Sequence, residues 1–171
     1  SAGFAGGEPF LAREAYRVWD LCEELRPGLD CTVVTNGTQW NARVERALEQ
    51  VRVQPVISLD GITAATYEAI RPGADHARVL ANLDRFCRYA ARVGTQVNVN
   101  FCLMPQNAHE LPDVLRYAEA RGIHVNALTV LGPLACSLPQ APRDVLEATM
   151  RSWEREDGAL AGQLTVNAVT W

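Results

Sequence analysis

Thr95-Gln-Val-Asn-Val-Asn-Phe-Cys-Leu103 is the stretch on which the fold turns. It alternates strictly, with Val97, Val99, Phe101 and Leu103 on one side and Asn98, Asn100 and Cys102 on the other, the period-2 signature of a strand. Pro105 closes it. Two further segments alternate in the same way. Ser58 and Asp60 share a side opposite Ile57 and Leu59. His124 and Asn126 share a side opposite Ile123, Val125 and Ala127. A doubly wound sheet is covered on both faces, and its strands are apolar on both. Strands with one polar face point instead to an apolar outside under helices and a polar inside around a ligand. A closed eight-stranded barrel fills that inside with apolar layers, so the pattern favours a partial barrel, open on one side.

Outward from that strand, helical and β-type patterns alternate along the chain, which argues for βα units and a parallel sheet. Leu11, Ala15, Val18, Trp19, Cys22 and Leu25 recur with helical period, predicting a helix over 11–26 that Arg26-Pro27-Gly28 ends. Cys31–Thr35 reads as a strand followed by an Asn36-Gly37 turn. A helix then carries Val44, Ala47, Leu48 and Val51. Pro55–Asp60 is a strand stopped by Gly61. A short helix spans about 64–70, and Asp75 N-caps a longer one with Val79, Leu80, Leu83, Phe86, Cys87 and Ala90 inward. Asn107 and Glu110 have the spacing of a capping box for a helix carrying Leu111, Val114, Leu115 and Ala118. Gly122 ends that helix, and 123–131 is a strand. Pro142 starts a last helix through about Glu156, and the tail from Gly158 is ambiguous.

The expected fold class is therefore α/β, an incomplete TIM-like βα barrel of parallel strands with outer helices. Residues 1–131 form the barrel, and 132–171 form a C-terminal helical extension of the same domain. A chain of 171 residues, 48% of them hydrophobic, is long enough for one sizeable core. The net charge is −4 and the basic residues are scattered, which gives no nucleic-acid footprint. No apolar run has the length of a membrane span, nothing at the start reads as a signal peptide, and the expected location is cytoplasmic. There is no initiator Met, and the chain opens inside a strand pattern, so we expect a piece of a longer protein. The five cysteines are widely spaced, with no C-x-x-C pair, and read as reduced, mostly buried thiols with no metal site. All sixteen basic residues are Arg, so no Lys is present to form a Schiff base, which leaves an aldolase-like reading unsupported.

The strand ends carry the chemistry. Gly6-Gly7-Glu8-Pro9 follows the first strand: two glycines leave carbonyls open, a carboxylate follows, and a proline fixes the chain. The set suits an ammonium group, though a plain glycine-rich turn fits the same four residues. Next come Thr35-Asn36-Gly37-Thr38, then Ser58-Leu59-Asp60-Gly61, then Tyr67-Glu68-x-x-Arg71-Pro72-Gly73-Ala74.

In order and spacing these four motifs resemble the radical S-adenosylmethionine enzymes, particularly the SPASM-type subgroup, whose members often carry a C-terminal extension with further iron–sulfur clusters. The resemblance covers residues 1 to about 131. It implies an enzyme that reductively cleaves S-adenosylmethionine to a 5′-deoxyadenosyl radical for hydrogen abstraction, with an electron donor such as flavodoxin or ferredoxin. The subgroup hints at a peptide or protein substrate.

The resemblance assigns Gly6, Gly7, Glu8 and Pro9 to the methionine ammonium of the cofactor, and Ser58 and Arg71 to its carboxylate. A hydroxyl with a guanidinium fork is a sound pairing for that group. Asn98 or Asn100 falls to the ribose, and Leu128 to the adenine. Asp60 either caps the turn at Gly61 or lines the pocket. Thr35 and Asn36 either satisfy turn backbone or touch the cofactor.

Two departures stand out. The C-x-x-x-C-x-x-C loop that ligates the family's [4Fe–4S] cluster is absent, so that cluster is expected only in a full-length form. The chain as given is then expected to hold the cofactor without firing it. The glycine-rich adenine motif is also not recognisable in Thr95–Leu103. The alternative is a non-catalytic barrel remnant acting as a binding or interaction domain. Leu131–Leu134 and Leu138-Pro139 line a cavity mouth or form a plain connecting loop.

Overall fold

The computed structural model describes all of residues 1–171. Strands alternate with helices: β1 (Ala2–Phe4), α1 (Arg13–Leu25), β2 (Asp30–Thr35), α2 (Ala42–Gln50), β3 (Arg52–Ser58), α3 (Ala64–Ile70), α4 (His76–Val93), β4 (Asn98–Leu103), α5 (Leu111–Glu119), β5 (His124–Thr129) and α6 (Arg143–Ala161). The five strands are parallel and form one sheet in the order β1-β2-β3-β4-β5. A doubly wound sheet reverses its strand order at a switch point. Strictly sequential order is that of a barrel arc, in line with the α/β partial-barrel expectation.

The chain divides into two compact units. The first comprises 1–58 and 74–98. Its core gathers Trp19, Val33, Val44, Ile57, Val79, Leu83 and Phe86, all at 0% exposure. Phe4, Phe10 and Tyr16 surround Trp19, with ring centroids 5.0–5.5 Å away. Asn41 N-caps α2 through the N–H groups of Arg43 and Val44. Asp75 caps α4 through the Arg78 N–H, as its sequence position predicted. Gly37 sits at φ +72°, and a Cβ there would lie 3.0 Å from Ile57 Cγ2. Close packing and left-handed backbone together require glycine at this turn.

The second unit comprises 59–73 and 99–171. Phe101, Leu115, Val125 and Leu160 anchor its core. α6 runs past Gly158 to Ala161, because burial of Leu160 outweighs the modest helix penalty of one glycine. The tail is tied to the free edge of β5. The Asn167 side chain accepts the Val125 N–H at 2.8 Å and donates to the Ile123 carbonyl at 2.9 Å, and the Thr170 hydroxyl donates to the Val125 carbonyl at 2.8 Å.

Glu119 holds the start of that tail. Its carboxylate accepts from the Thr165 hydroxyl and from the N–H groups of Thr165, Val166 and Asn167. These bonds, the Thr165 hydroxyl foremost, lower its pKa to about 2. A lowered folded-state pKa gives stabilisation that is fully present above the ordinary value of 4.5 and is lost as pH falls toward 2. Hydrogen exchange should therefore show the amides of residues 165–167 protected at pH 6 and losing protection between pH 4.5 and about 2. In Glu119→Gln the same amides should be weakly protected already at pH 6.

Three sequence expectations are corrected here. Asn107 and Glu110 do not form a capping box, since neither side chain caps the helix that follows. The apolar stripe of α1 is largely exposed: it buries only Tyr16 and Trp19, while Leu11, Val18 and Leu25 face outward. Of the five thiols only Cys31 is buried, and the other four are half-buried.

Candidate functional site

The first strand end carries a turn in which Gly6 (φ +91°) and Gly7 (φ +59°) are both left-handed. A Cβ at either would meet nothing within 4 Å, so backbone conformation alone selects glycine. Both are exposed, and their carbonyls accept no hydrogen bond within the chain. Pro9 is buried and Glu8 half-buried. Glu8 organises the neighbouring strand end as well. Its Oε1 accepts the Thr35 hydroxyl at 2.7 Å and the Phe10 N–H at 3.1 Å, and its Oε2 accepts the Asn36 N–H at 2.7 Å. A carboxylate has about four acceptor sites, so Oε2 retains one.

Thr35 and Asn36 spend their side chains on the turn. The Thr35 hydroxyl accepts the Gly37 N–H at 3.1 Å, and Asn36 Oδ1 accepts from the Thr38 N–H and hydroxyl at 2.9 and 2.7 Å. The Gly37 carbonyl is in turn held by the buried Asn82 Nδ2 at 2.9 Å. Ser58 ends β3 and Asn98 begins β4; both are half-buried and make no side-chain hydrogen bond.

In the second unit Asp60 is 3% exposed. Its Oδ2 accepts both Nε and Nη2 of Arg71, at 2.9 and 2.6 Å, and its Oδ1 accepts the Cys102 N–H at 2.9 Å. Asp60 thus neither caps the Gly61 turn nor stands free in a pocket. It aims Arg71 and fastens β4. Arg71 Nη1 makes no bond within the chain. The guanidinium also lies 6.0 Å from the Tyr67 ring centroid, at the outer limit of a cation–π contact. Burial pushes the Tyr67 phenol and the Cys102 thiol up, and the Asp60 carboxylate adds to both while Arg71 opposes. Gly61 is required by close approach: a Cβ there would lie 2.8 Å from the Tyr67 nitrogen.

Asn100 Oδ1 accepts from Asn126 Nδ2 at 3.0 Å. Asn126 was on the polar face of its strand but not among the candidates. Its place on the polar side of the alternating 123–127 stretch is the signal that could have found it. Leu128, two residues further along β5, is 41% exposed. No group of three His, Cys, Asp or Glu side chains converges in the structure.

The model of the radical SAM superfamily matches residues 2–118. The chain belongs to that superfamily. Radical SAM enzymes use S-adenosylmethionine together with a [4Fe–4S] cluster.

Among curated relatives, the GTP 3′,8-cyclase of Rhizobium etli (strain CIAT 652) is 29% identical over 129 residues, 74% of this chain and 36% of the relative. The GTP 3′,8-cyclase 2 of Mycobacterium bovis is 34% identical over 135 residues, 75% of this chain and 35% of the relative. The chain thus spans about a third of the length of these curated relatives. Among solved structures, Streptococcus suis SuiB bound to S-adenosylmethionine matches 91% of this chain and 36% of its own, with a TM-score of 0.55 at 16% identity. That match shows the fold. No helix is long and apolar enough to cross a membrane.

Proposed function

We propose that this chain is the portion of a radical SAM enzyme that holds S-adenosylmethionine. The observation that carries the reading is that each compact unit keeps unspent polar groups at its own motif positions. The Gly6 and Gly7 carbonyls and one acceptor site on Glu8 suit an ammonium. The Arg71 guanidinium, aimed by Asp60 with Nη1 to spare, suits a carboxylate. A zwitterionic amino-acid head needs both.

On this reading Gly6, Gly7 and Glu8 take the ammonium, and Pro9 fixes the turn. Arg71 takes the carboxylate with the Ser58 hydroxyl. Thr35 and Asn36 act through Glu8. Asn98 and the Asn100–Asn126 pair face the ribose hydroxyls, and Leu128 lies against the adenine. We treat 132–171 as an extension of the domain formed by 1–131, supported by the bonds from Asn167 and Thr170 to β5. When bound and given one electron, S-adenosylmethionine supplies the species that removes a substrate hydrogen; the protein's part is to bind, orient and shield.

For the substrate, the relatives named GTP 3′,8-cyclase favour a purine nucleotide over the peptide suggested by the subgroup resemblance. The test uses the intact protein that carries this chain, isolated anaerobically and given dithionite, and follows 5′-deoxyadenosine formation from S-adenosylmethionine. We expect turnover that GTP increases and peptides do not. Stimulation by peptides alone would reverse the substrate assignment. Absence of both iron and cleavage would overturn the enzymatic reading and leave a non-catalytic binding domain.

A further inference from the structure

The stretch Asn107–Glu110 holds two polar side chains that the roles above do not use. Asn107 is 0% exposed and Glu110 is 4% exposed. Burying an amide and a carboxylate is costly unless every bond is made, and their bonds converge on one segment. Asn107 Nδ2 donates to the carbonyls of Asp60 and Cys102, both at 2.9 Å, and its Oδ1 accepts the Met104 N–H at 2.8 Å. Glu110 Oε2 accepts the N–H groups of Ile62 and Thr63 at 2.7 and 3.3 Å, and its Oε1 accepts the Thr63 hydroxyl at 2.5 Å. The Thr63 hydroxyl in turn caps α3 by accepting the Thr66 N–H.

Arg71 stands at the other end of α3, its N–H bonded to the Tyr67 carbonyl at 2.9 Å. The segment from Asp60 to Arg71 is therefore gripped three times. Asn107 fixes the backbone of Asp60. Glu110 fixes the first turn of α3. The Asp60 side chain then closes the loop onto Arg71. α3 is short, about 10 Å at 1.5 Å per residue, so a shift at its first turn passes to the guanidinium at its end. Ligand-binding groups act within tolerances of about 0.5 Å.

We propose that Asn107 and Glu110 are positioning residues for Arg71, acting through Asp60 and the first turn of α3, and that they set affinity for the carboxylate end of S-adenosylmethionine. The inference rests on the cofactor reading above.

The experiment titrates two ligands into the intact protein under anaerobic conditions. S-adenosylmethionine carries the amino-acid carboxylate. 5′-Methylthioadenosine has the same adenosine without the amino-acid head, ammonium and carboxylate alike, and without the sulfonium charge. Glu110→Gln keeps the size of the side chain but removes its charge, and its amide can keep the Ile62 and Thr63 N–H bonds only by turning its N–H₂ toward the Thr63 hydroxyl and reversing that bond. It should raise the Kd for S-adenosylmethionine about tenfold, the effect of losing one charge-assisted hydrogen bond. It should leave the Kd for 5′-methylthioadenosine within about twofold, the scatter of uncoupled sites. In an Arg71→Ala background the Glu110→Gln effect should vanish, because residues acting as one unit are not additive.

If Glu110→Gln fails to fold, Thr63→Val removes the same hydroxyl bond from the other side, with an expected loss of about threefold for S-adenosylmethionine only. Equal loss of both ligands, no loss of either, or an undiminished effect in the Arg71→Ala background would overturn the positioning role. Wild-type protein that binds 5′-methylthioadenosine but not S-adenosylmethionine would overturn the assignment of the amino-acid head, the carboxylate at Arg71 included. Wild-type protein that binds neither would overturn the cofactor reading, and the inference with it.

Discussion

Glu8→Ala is expected to weaken S-adenosylmethionine binding by at least about a hundredfold and, without any ligand, to lower stability by about 3 kcal/mol. The two effects have one cause. Glu8 accepts three hydrogen bonds from Phe10, Thr35 and Asn36, two of them reaching 27 and 28 residues along the chain to the end of β2. Bonds to a charged acceptor contribute about 1.5–3 kcal/mol each, and their losses overlap rather than add. Thr35 is buried, so its hydroxyl is left with one partner fewer in a place water does not easily reach. The Gly6-Gly7 turn then loses the carboxylate that orients it as well as a direct acceptor for the ammonium. Glu8→Gln should fall between, since the amide can accept from Thr35 and Phe10 but must turn its N–H₂ toward the Asn36 N–H. Denaturant melts and calorimetric titration read the two effects separately. An Ala variant with wild-type stability would show that the Glu8 bonds do not organise the turn.

Such bonds mark the boundary of what the sequence alone disclosed. The alternation of Asn98, Asn100 and Cys102 against Val97, Val99 and Phe101 is local and periodic, so the polar face of β4 could be read directly, and with it the partial-barrel class. The Gly6-Gly7 turn was legible for the same reason, since left-handed backbone leaves its mark in residue type. Asn107 and Glu110 were misread because a capping box and a long-range clamp use the same residue types at the same spacing. Their partners Asp60, Ile62 and Thr63 lie 47 and 48 residues away, which no local pattern encodes. Asp60 was ambiguous for a related reason: its side chain answers to Arg71, 11 residues on, and to Cys102, 42 residues on. In α1 the helical period was right and the burial wrong. Periodicity reports that apolar residues share a side, and only packing shows that Trp19 fills the available space while Leu25 remains 80% exposed.

Neutralising Asp60 should have the second large effect, and here two consequences compete. In Asp60→Asn the amide oxygen can accept from Arg71 or from the Cys102 N–H but not serve both as the carboxylate does, and its N–H₂ must face whichever donor remains. Breaking a fully buried pair costs about 3–5 kcal/mol. The Arg71 side chain is 29% exposed and keeps some water, so about 2 kcal/mol is expected here. On binding, removal of the carboxylate leaves Arg71 with more uncompensated charge for a ligand carboxylate, which favours affinity. It also frees a guanidinium that two bonds from Nε and Nη2 had fixed. Exposed charge effects are about 1 kcal/mol or less, whereas loss of orientation in a bidentate site is worth more. The net expectation is a Kd for S-adenosylmethionine about tenfold higher.

The Cys102 thiol supplies an independent readout. Burial pushes its pKa up first, and Asp60 adds to that through its charge and a hydrogen bond, while Arg71 opposes. With position 60 neutral the added push disappears and the opposing one remains, so the pKa of Cys102 must fall. Site-resolved alkylation against pH should show the Cys102 midpoint moving to lower pH in Asp60→Asn. Tighter binding of S-adenosylmethionine in the variant would mean that Asp60 competes with the ligand for Arg71 rather than aiming it. An unmoved Cys102 midpoint would mean that the carboxylate does not reach β4 in solution.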